Sequence, residues 1–227
     1  MLKLIRIFAL LLMAVLGGLW GLAWYVRAPG EAMGDAFLRQ LAQFGGADMP
    51  APSAGGVQLP QGIALGGAFS LQDHNGQRVT EGAFAGRLGL IYFGFTYCPD
   101  VCPTELGLMA SALDLLGPDA SRVLPVLITI DPARDTPAAL ADYVSRFHPA
   151  LIGLTGTEEE IATAARAFRV YYRKIQPPGA SDYLMDHSSF IYLVGPDGKV
   201  RQLFRPNTPP ETIAAAIRGQ IRARRSS

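Results

Sequence analysis

Residues 88–106 read LGLIYFGFTYCPDVCPTEL. The first eight form an unbroken apolar run. It is too short for a typical buried helix and rich in aromatic and branched side chains, the pattern of a strand buried on both faces. The chain's two cysteines follow at once, Cys98 and Cys102, with Pro99, Asp100 and Val101 between them. Pro103 disfavours helical dihedrals at the residue before it and cannot donate within a helical ladder. The pattern therefore predicts a helix that begins at Pro103, with Cys102 near its N-cap, and runs to about residue 116, where Gly117-Pro118 ends it. Cys98 falls in the turn before it. Both sulfurs then lie near free backbone N–H groups and the positive end of a helix dipole, a setting that lowers thiol pKa values. Pro, Asp and Pro around the cysteines describe an accessible turn and argue against two inert buried residues. The spacing leaves open a disulfide, a metal-binding pair, and a nucleophile with its resolving partner; sequence does not fix the distance between the sulfurs.

Outward from this stretch the chain alternates. Residues 69–79 carry His74-Asn75-Gly76 between two short apolar runs, a hairpin signal. Residues 123–130 (VLPVLITI) read as a second buried strand, and Thr136-Pro137 as an N-cap with proline at the first position of a helix ending near Phe147. A short strand over 151–154 is followed by Thr157-Glu158-Glu159-Glu160, a capping box for a helix reaching about Tyr172. Residues 190–194 and 199–204 read as strands joined by the turn Gly195-Pro196-Asp197-Gly198, and a last helix runs from about Thr208 to Arg222. The order, a hairpin, then β-α-β-α-β-α, then β-β-α, predicts an α/β sandwich with a mostly parallel centre. A close cysteine pair after a buried strand and at a helix start is the thioredoxin-like arrangement.

The N-terminus reads differently. Residues 7–26 (IFALLLMAVLGGLWGLAWYV) form a twenty-residue stretch without charge. As a helix it spans roughly 30 Å, one bilayer core. Lys3 and Arg6 precede it, Trp20, Trp24 and Tyr25 lie towards its far end, and Glu31 and Asp35 follow. The positive-inside rule places the N-terminus in the cytoplasm and the rest outside it. Pro29, directly after a weak cleavage pattern, favours an uncleaved anchor over a signal peptide. The expected organisation is a transmembrane anchor over 1–28, a Gly/Pro/Ala-rich linker over 29–62 and a folded domain over 63–227. A net charge of +1, from 20 basic and 19 acidic residues, gives no electrostatic reason to expect nucleic acid. Two cysteines are too few for a disulfide-stapled scaffold.

Three histidines compete for a role beside the cysteines. His74 sits in the hairpin turn, and His148 ends a helix beside Pro149; both read as surface residues. His187 lies in YLMDHSS, directly before a strand. In a thioredoxin-like topology that loop packs against the cysteine turn, so the fold brings His187 to the pair, either as a ligand or as a hydrogen-bonded loop histidine. Two thiolates and one imidazole form a soft, low-coordinate set that suits Cu(I) better than a closed zinc site, which needs four ligands. Asp131, just after a buried strand, is the candidate fourth ligand beside water. Asp135 is expected to cap the next helix with Thr136, and Asp100 to shape the turn.

In these residues the sequence resembles the SCO/SenC family of copper-binding, thioredoxin-fold proteins that help assemble cytochrome c oxidase. Three blocks carry the resemblance in order: GFTYCPDVCPTEL; Asp131-Pro132-Ala133-Arg134-Asp135-Thr136-Pro137; and Asp186-His187-Ser188 followed by a strand and Pro196-Asp197-Gly198. It covers about residues 63–222. Phe95 and Met185 depart from the residues common at their positions; neither change removes a donor, and Met185 reads as a packing residue. The resemblance implies that Cys98, Cys102 and His187 bind copper. It further implies action on the copper A site of oxidase subunit II, by copper delivery or by reduction of that site's cysteines, with another copper chaperone as a possible donor. The expected location is the inner membrane, with the domain on the periplasmic side. A peroxidase of the same fold needs a lone activated cysteine, which the close pair and His187 argue against.

Overall fold

The computed structural model describes residues 64–176, 179 and 182–225, the pair 56–57, and, before these, Arg6, Met13, Leu16 to Gly18, Trp20, Gly21 and Trp24. The chain divides into two compact units, Met1–Ser53 and Ala54–Ser227. Most of the anchor expected over 7–26 and nearly all of the linker over 29–62 lie outside the described residues. Among the described residues no helix is long and apolar enough to cross a membrane.

Among its described residues the second unit is built on ten strands: β1 (Gly56–Val57), β2 (Ser70–Asp73), β3 (Arg78–Thr80), β4 (Leu88–Gly94), β5 (Val123–Thr129), β6 (Ile152–Thr155), β7 (Tyr172–Ile175), β8 (Leu184–His187), β9 (Ile191–Val194) and β10 (Val200–Phe204). Four α-helices accompany them: α1 (Val101–Leu116), α2 (Pro137–Ser145), α3 (Glu158–Phe168) and α4 (Pro210–Arg225). Eight strands form one sheet in the order β1-β10-β9-β4-β5-β6-β2-β3. β4, β5 and β6 pair in parallel. Antiparallel strands extend this centre on both sides, through β9 on one and β2 on the other. The expected mostly parallel centre is therefore three strands wide.

The apolar runs become strands for the reason their patterns suggest. Every residue of β4 and of β5 is buried, as a central strand covered on both faces requires. Alternation along β4 then assigns neighbours to opposite faces: Phe93 packs on Phe168 of α3 and on Tyr192, while Tyr92 turns towards Cys102. Thr136 caps α2 by accepting from the Ala139 N–H, with Pro137 at the first position. The Thr157/Glu160 capping box opens α3.

Four expectations need correction. The cysteine helix starts at Val101, two residues before Pro103. Pro103 is tolerated because N–H groups in a helix's first turn have no intrahelical acceptor, so its missing donor leaves no carbonyl unpaired. α3 ends at Phe168 rather than near Tyr172, because Arg169 turns left-handed (φ 52°) and its N–H closes on the last carbonyls. The chain so freed becomes β7, which pairs with β8 as a separate two-stranded ribbon, Tyr172 opposite His187. His187 thus ends a strand instead of lying in a loop. Gly56–Val57, inside the stretch expected to be linker, adds β1 to the sheet edge through β10.

Candidate metal centre

The site forms where the buried end of β4 meets the first turn of α1. Cys98 is half-buried in the connecting turn, and Cys102 is fully buried in the first turn of the helix. Asp100 occupies the N-cap position without a side-chain capping bond. Its place is taken by sulfur: the Cys102 backbone N–H donates to Cys98 Sγ at 3.4 Å. The helix start thus stabilises negative charge on Cys98 directly.

The thiols divide one proton between them. The Cys98 thiol is pulled down to about 4, chiefly by the hydrogen bond from the Cys102 side chain, with help from His187 and backbone N–H groups and against its partial burial. Cys102 is pushed up, because it donates that bond, is buried, and faces the Cys98 charge. The metal-free pair is accordingly a Cys98 thiolate held by a Cys102 thiol. Both cysteines are free.

β8 brings the third donor. His187 Nε2 lies 3.6 Å from Cys102 Sγ, and Nδ1 lies 3.0 Å from the Ser188 carbonyl oxygen. The tautomer with Nδ1–H donating to that carbonyl would leave the Nε2 lone pair to a bound metal ion. Tyr92 and Phe95 hold the ring edge-on, with ring centroids 6.1 and 5.9 Å away. The two Sγ atoms and one imidazole nitrogen all lie within 4.8 Å of one another, the one such cluster of His, Cys, Asp or Glu among the described residues. With metal–ligand bonds of about 2.0–2.3 Å, three donors around one ion stand roughly 3.5–4 Å apart, so the cluster needs only slight contraction. Two sulfurs and one imidazole are the donors a soft, low-coordinate ion such as Cu(I) selects.

The remaining candidates are placed elsewhere. Asp131, the candidate fourth ligand, has both oxygens occupied: Oδ2 accepts from Arg134 Nε at 2.5 Å and Oδ1 from the Tyr183 hydroxyl at 2.8 Å. Asp135 does not cap α2; Thr136 does. The Asp135 carboxylate is buried and accepts from Thr96 Oγ1 and Thr129 Oγ1, each at 2.6 Å, and from the Thr96 N–H at 3.1 Å. Burial raises its pKa. It therefore pins the segment that leads from β4 to Cys98. His74 Nδ1 accepts from the Gly153 N–H and His148 Nδ1 from the Ala150 N–H, local structural roles away from the cluster. Met185 is half-buried against the core, as a packing residue should be.

Sequence reading missed the groups that support the donors. The Arg134 guanidinium lies 3.7 Å from the Tyr183 ring centre and donates to the Tyr183 carbonyl, and Lys174 Nζ lies 3.9 Å from the same ring. Together with Asp131 these contacts fasten the β7–β8 ribbon to the loop after β5. The signal was present as Arg134 between two aspartates, but its partner is 49 residues away.

Residues 57–222 match the family model described as SCO1/SenC. Among curated proteins, the chain is 49% identical over 156 residues to "Protein sco1" of Schizosaccharomyces pombe, covering 67% of this chain and 59% of that one. It is 48% identical over 162 residues to "Protein SCO1 homolog, mitochondrial" of Homo sapiens, covering 70% and 53%. The chain thus spans little more than half the length of these two relatives. Among solved structures, the crystal structure of Arabidopsis thaliana ScoI with copper bound superposes with a TM-score of 0.66 at 43% identity, covering 70% of this chain and 99% of that one.

Proposed function

The chain belongs to the SCO1/SenC family, and on that premise we propose that it is a copper metallochaperone that carries one copper ion on Cys98, Cys102 and His187. The observation that carries this reading is the convergence of two sulfurs and an imidazole nitrogen within 4.8 Å. A solved relative with copper bound supports it. Copper is the cargo. Three ligands leave the ion open to attack, and Cys98, the half-buried sulfur, is the donor an incoming ligand reaches first. A partner's cysteines and histidines replace the ligands one at a time, so the ion is never free. The acceptor in this reading is the copper A site of cytochrome c oxidase subunit II. Residues 1–28 anchor the chain in the inner membrane, residues 29–62 tether it, and the domain over 63–227 works on the periplasmic face; the charge-free stretch over 7–26 supports this placement.

A second reading, thiol–disulfide reductase, is favoured by the two free thiols and their divided proton. The Cys98 thiolate attacks a partner's disulfide, and Cys102 then displaces the mixed disulfide. Two electrons and the Cys102 proton pass to the partner as the Cys98–Cys102 bond closes. His187 separates the two readings. The full chain, purified reduced in detergent and loaded anaerobically, should hold one copper per chain and show a thiolate-to-Cu(II) absorption band. His187→Ala should weaken copper binding strongly and leave disulfide formation between the cysteines intact. Wild-type copper affinity in that variant would reject the three-ligand site; no copper in the wild type, with a readily cycled disulfide, would favour the reductase.

A further inference from the structure

Tyr92 has no part in the donor set, yet it touches two of its members. It lies in the middle of β4 and is completely buried. Its hydroxyl is 3.8 Å from Cys102 Sγ, within reach of an O–H···S hydrogen bond, and its ring meets His187 edge-on. The backbone is shaped to permit this approach. A Cβ on Gly94 would fall 2.7 Å from the Tyr92 ring and 3.0 Å from Cys102 Sγ, so glycine there leaves the space in which ring and sulfur meet. A buried hydroxyl in a core otherwise satisfied by Phe, Leu and Ile needs such a partner, since an unpaired one loses its hydration with nothing in exchange. The sulfur it has found is Cys102, while Cys98 lies on the open side of the pair.

We propose that Tyr92 is a positioning residue that donates its hydroxyl proton in a hydrogen bond to Cys102 Sγ and stabilises that sulfur in its reduced form, so that Cys102 stays in place on the buried side of the pair while Cys98 is the sulfur surrendered first. The copper side of this proposal rests on the metallochaperone reading; the thiol side does not. A hydrogen bond to a reduced sulfur, thiol or thiolate, lowers the energy of its lone pairs. The dithiol is then favoured over the disulfide, and charge transfer from sulfur to Cu(II) takes more energy.

Tyr92→Phe removes only the hydroxyl. Tyr192→Phe is the control, because Tyr192 is equally buried but packs on Phe93 and Phe168. The full chain is equilibrated without metal in glutathione buffers, where oxidised glutathione takes two electrons from the thiols and leaves as two reduced glutathiones. Tyr92→Phe should move the equilibrium about three- to tenfold towards the Cys98–Cys102 disulfide, the worth of one hydrogen bond. Tyr192→Phe should not move it. In the Cu(II)-loaded chain, Tyr92→Phe should shift the thiolate charge-transfer band to lower energy at unchanged stoichiometry. An unchanged equilibrium in Tyr92→Phe, or equal shifts in the two variants, would overturn the proposal. If the wild type bound no copper while the equilibrium moved in Tyr92→Phe alone, the metallochaperone reading would fail and the positioning role would stand.

Discussion

The cluster draws its donors from two unlike regions. Cys98 and Cys102 stand at the junction of β4 and α1, where a fully buried central strand runs into a sixteen-residue helix. His187 stands at the end of β8, in a two-stranded ribbon that is not part of the main sheet. A lone pair of strands is marginally stable in water and depends on what it packs against. The cysteine junction is held by the core; the ribbon is held by the Asp131–Tyr183–Arg134 contacts and by Tyr92 and Phe95 around the histidine. The two thiols are therefore placed by the fold itself, and the imidazole by a short list of polar contacts that can be cut one by one without unfolding the domain.

That contrast orders the expected losses. Removing a sulfur should do most: Cys98→Ser or Cys102→Ser should lower Cu(I) affinity by more than about a hundredfold, beyond the loss expected from any supporting group. Competition against a coloured Cu(I) chelator measures it, and a loss below tenfold would mean that the sulfurs are not both ligands. Next is the brace behind the junction. Asp135→Ala leaves the Thr96 N–H and two hydroxyls without their buried acceptor, which should cost about 2–4 kcal/mol of stability and lower the thermal midpoint. A midpoint within a degree of wild type would show that the turn before Cys98 is held by something else.

The ribbon's clamp should give a smaller and more selective effect. Tyr183→Ala removes both the hydroxyl bond to Asp131 and the ring on which Arg134 and Lys174 rest. It should weaken copper binding about tenfold, the lower end for a supporting contact, while the thermal midpoint and the rate of disulfide formation stay near wild type. If disulfide formation slowed as much as copper binding weakened, the contrast between the two regions would collapse.

The same contrast explains what could be read from the sequence. The cysteine junction was legible because its residues are consecutive: an apolar run, then Cys, Pro, Cys and Pro, each with a local consequence. Even there the helix start was misplaced by two residues, because the bond from the Cys102 N–H to Cys98 Sγ replaces the side-chain cap that a reader looks for. The ribbon was not legible. Tyr172–Ile175 and Leu184–His187 are four residues each, too short for a period, and are paired only by their tertiary setting. His187 could be singled out by topology, but Asp131 reads from sequence as a candidate fourth ligand, and its partner Tyr183 lies 52 residues away. Polar pairs between loops leave no periodic trace, and the supports of this site are all of that kind.

The smallest expected change lies inside the junction, between its two sulfurs. The Cys98 thiol is held down to about 4, and the leading cause is the hydrogen bond from Cys102 rather than the helix start or His187. A lowered pKa keeps the thiolate populated as the pH falls. Alkylation of Cys98 in the metal-free chain should therefore stay nearly level from pH 8 to about 5 and decline as the pH approaches 4, whereas an ordinary cysteine loses about tenfold per unit below its pKa. Cys102→Ala withdraws the leading cause and leaves the others in place. Its Cys98 profile should move upward in pH while keeping a pKa below that of a free thiol, because His187 and the backbone N–H of Asp100 remain as donors. Mass-spectrometric rates across that range, in the two proteins, separate the contributions. An unmoved profile would assign the thiolate to the helix start and His187 and make the two cysteines independent, whereas the full return to ordinary behaviour would leave neither a share in holding the charge.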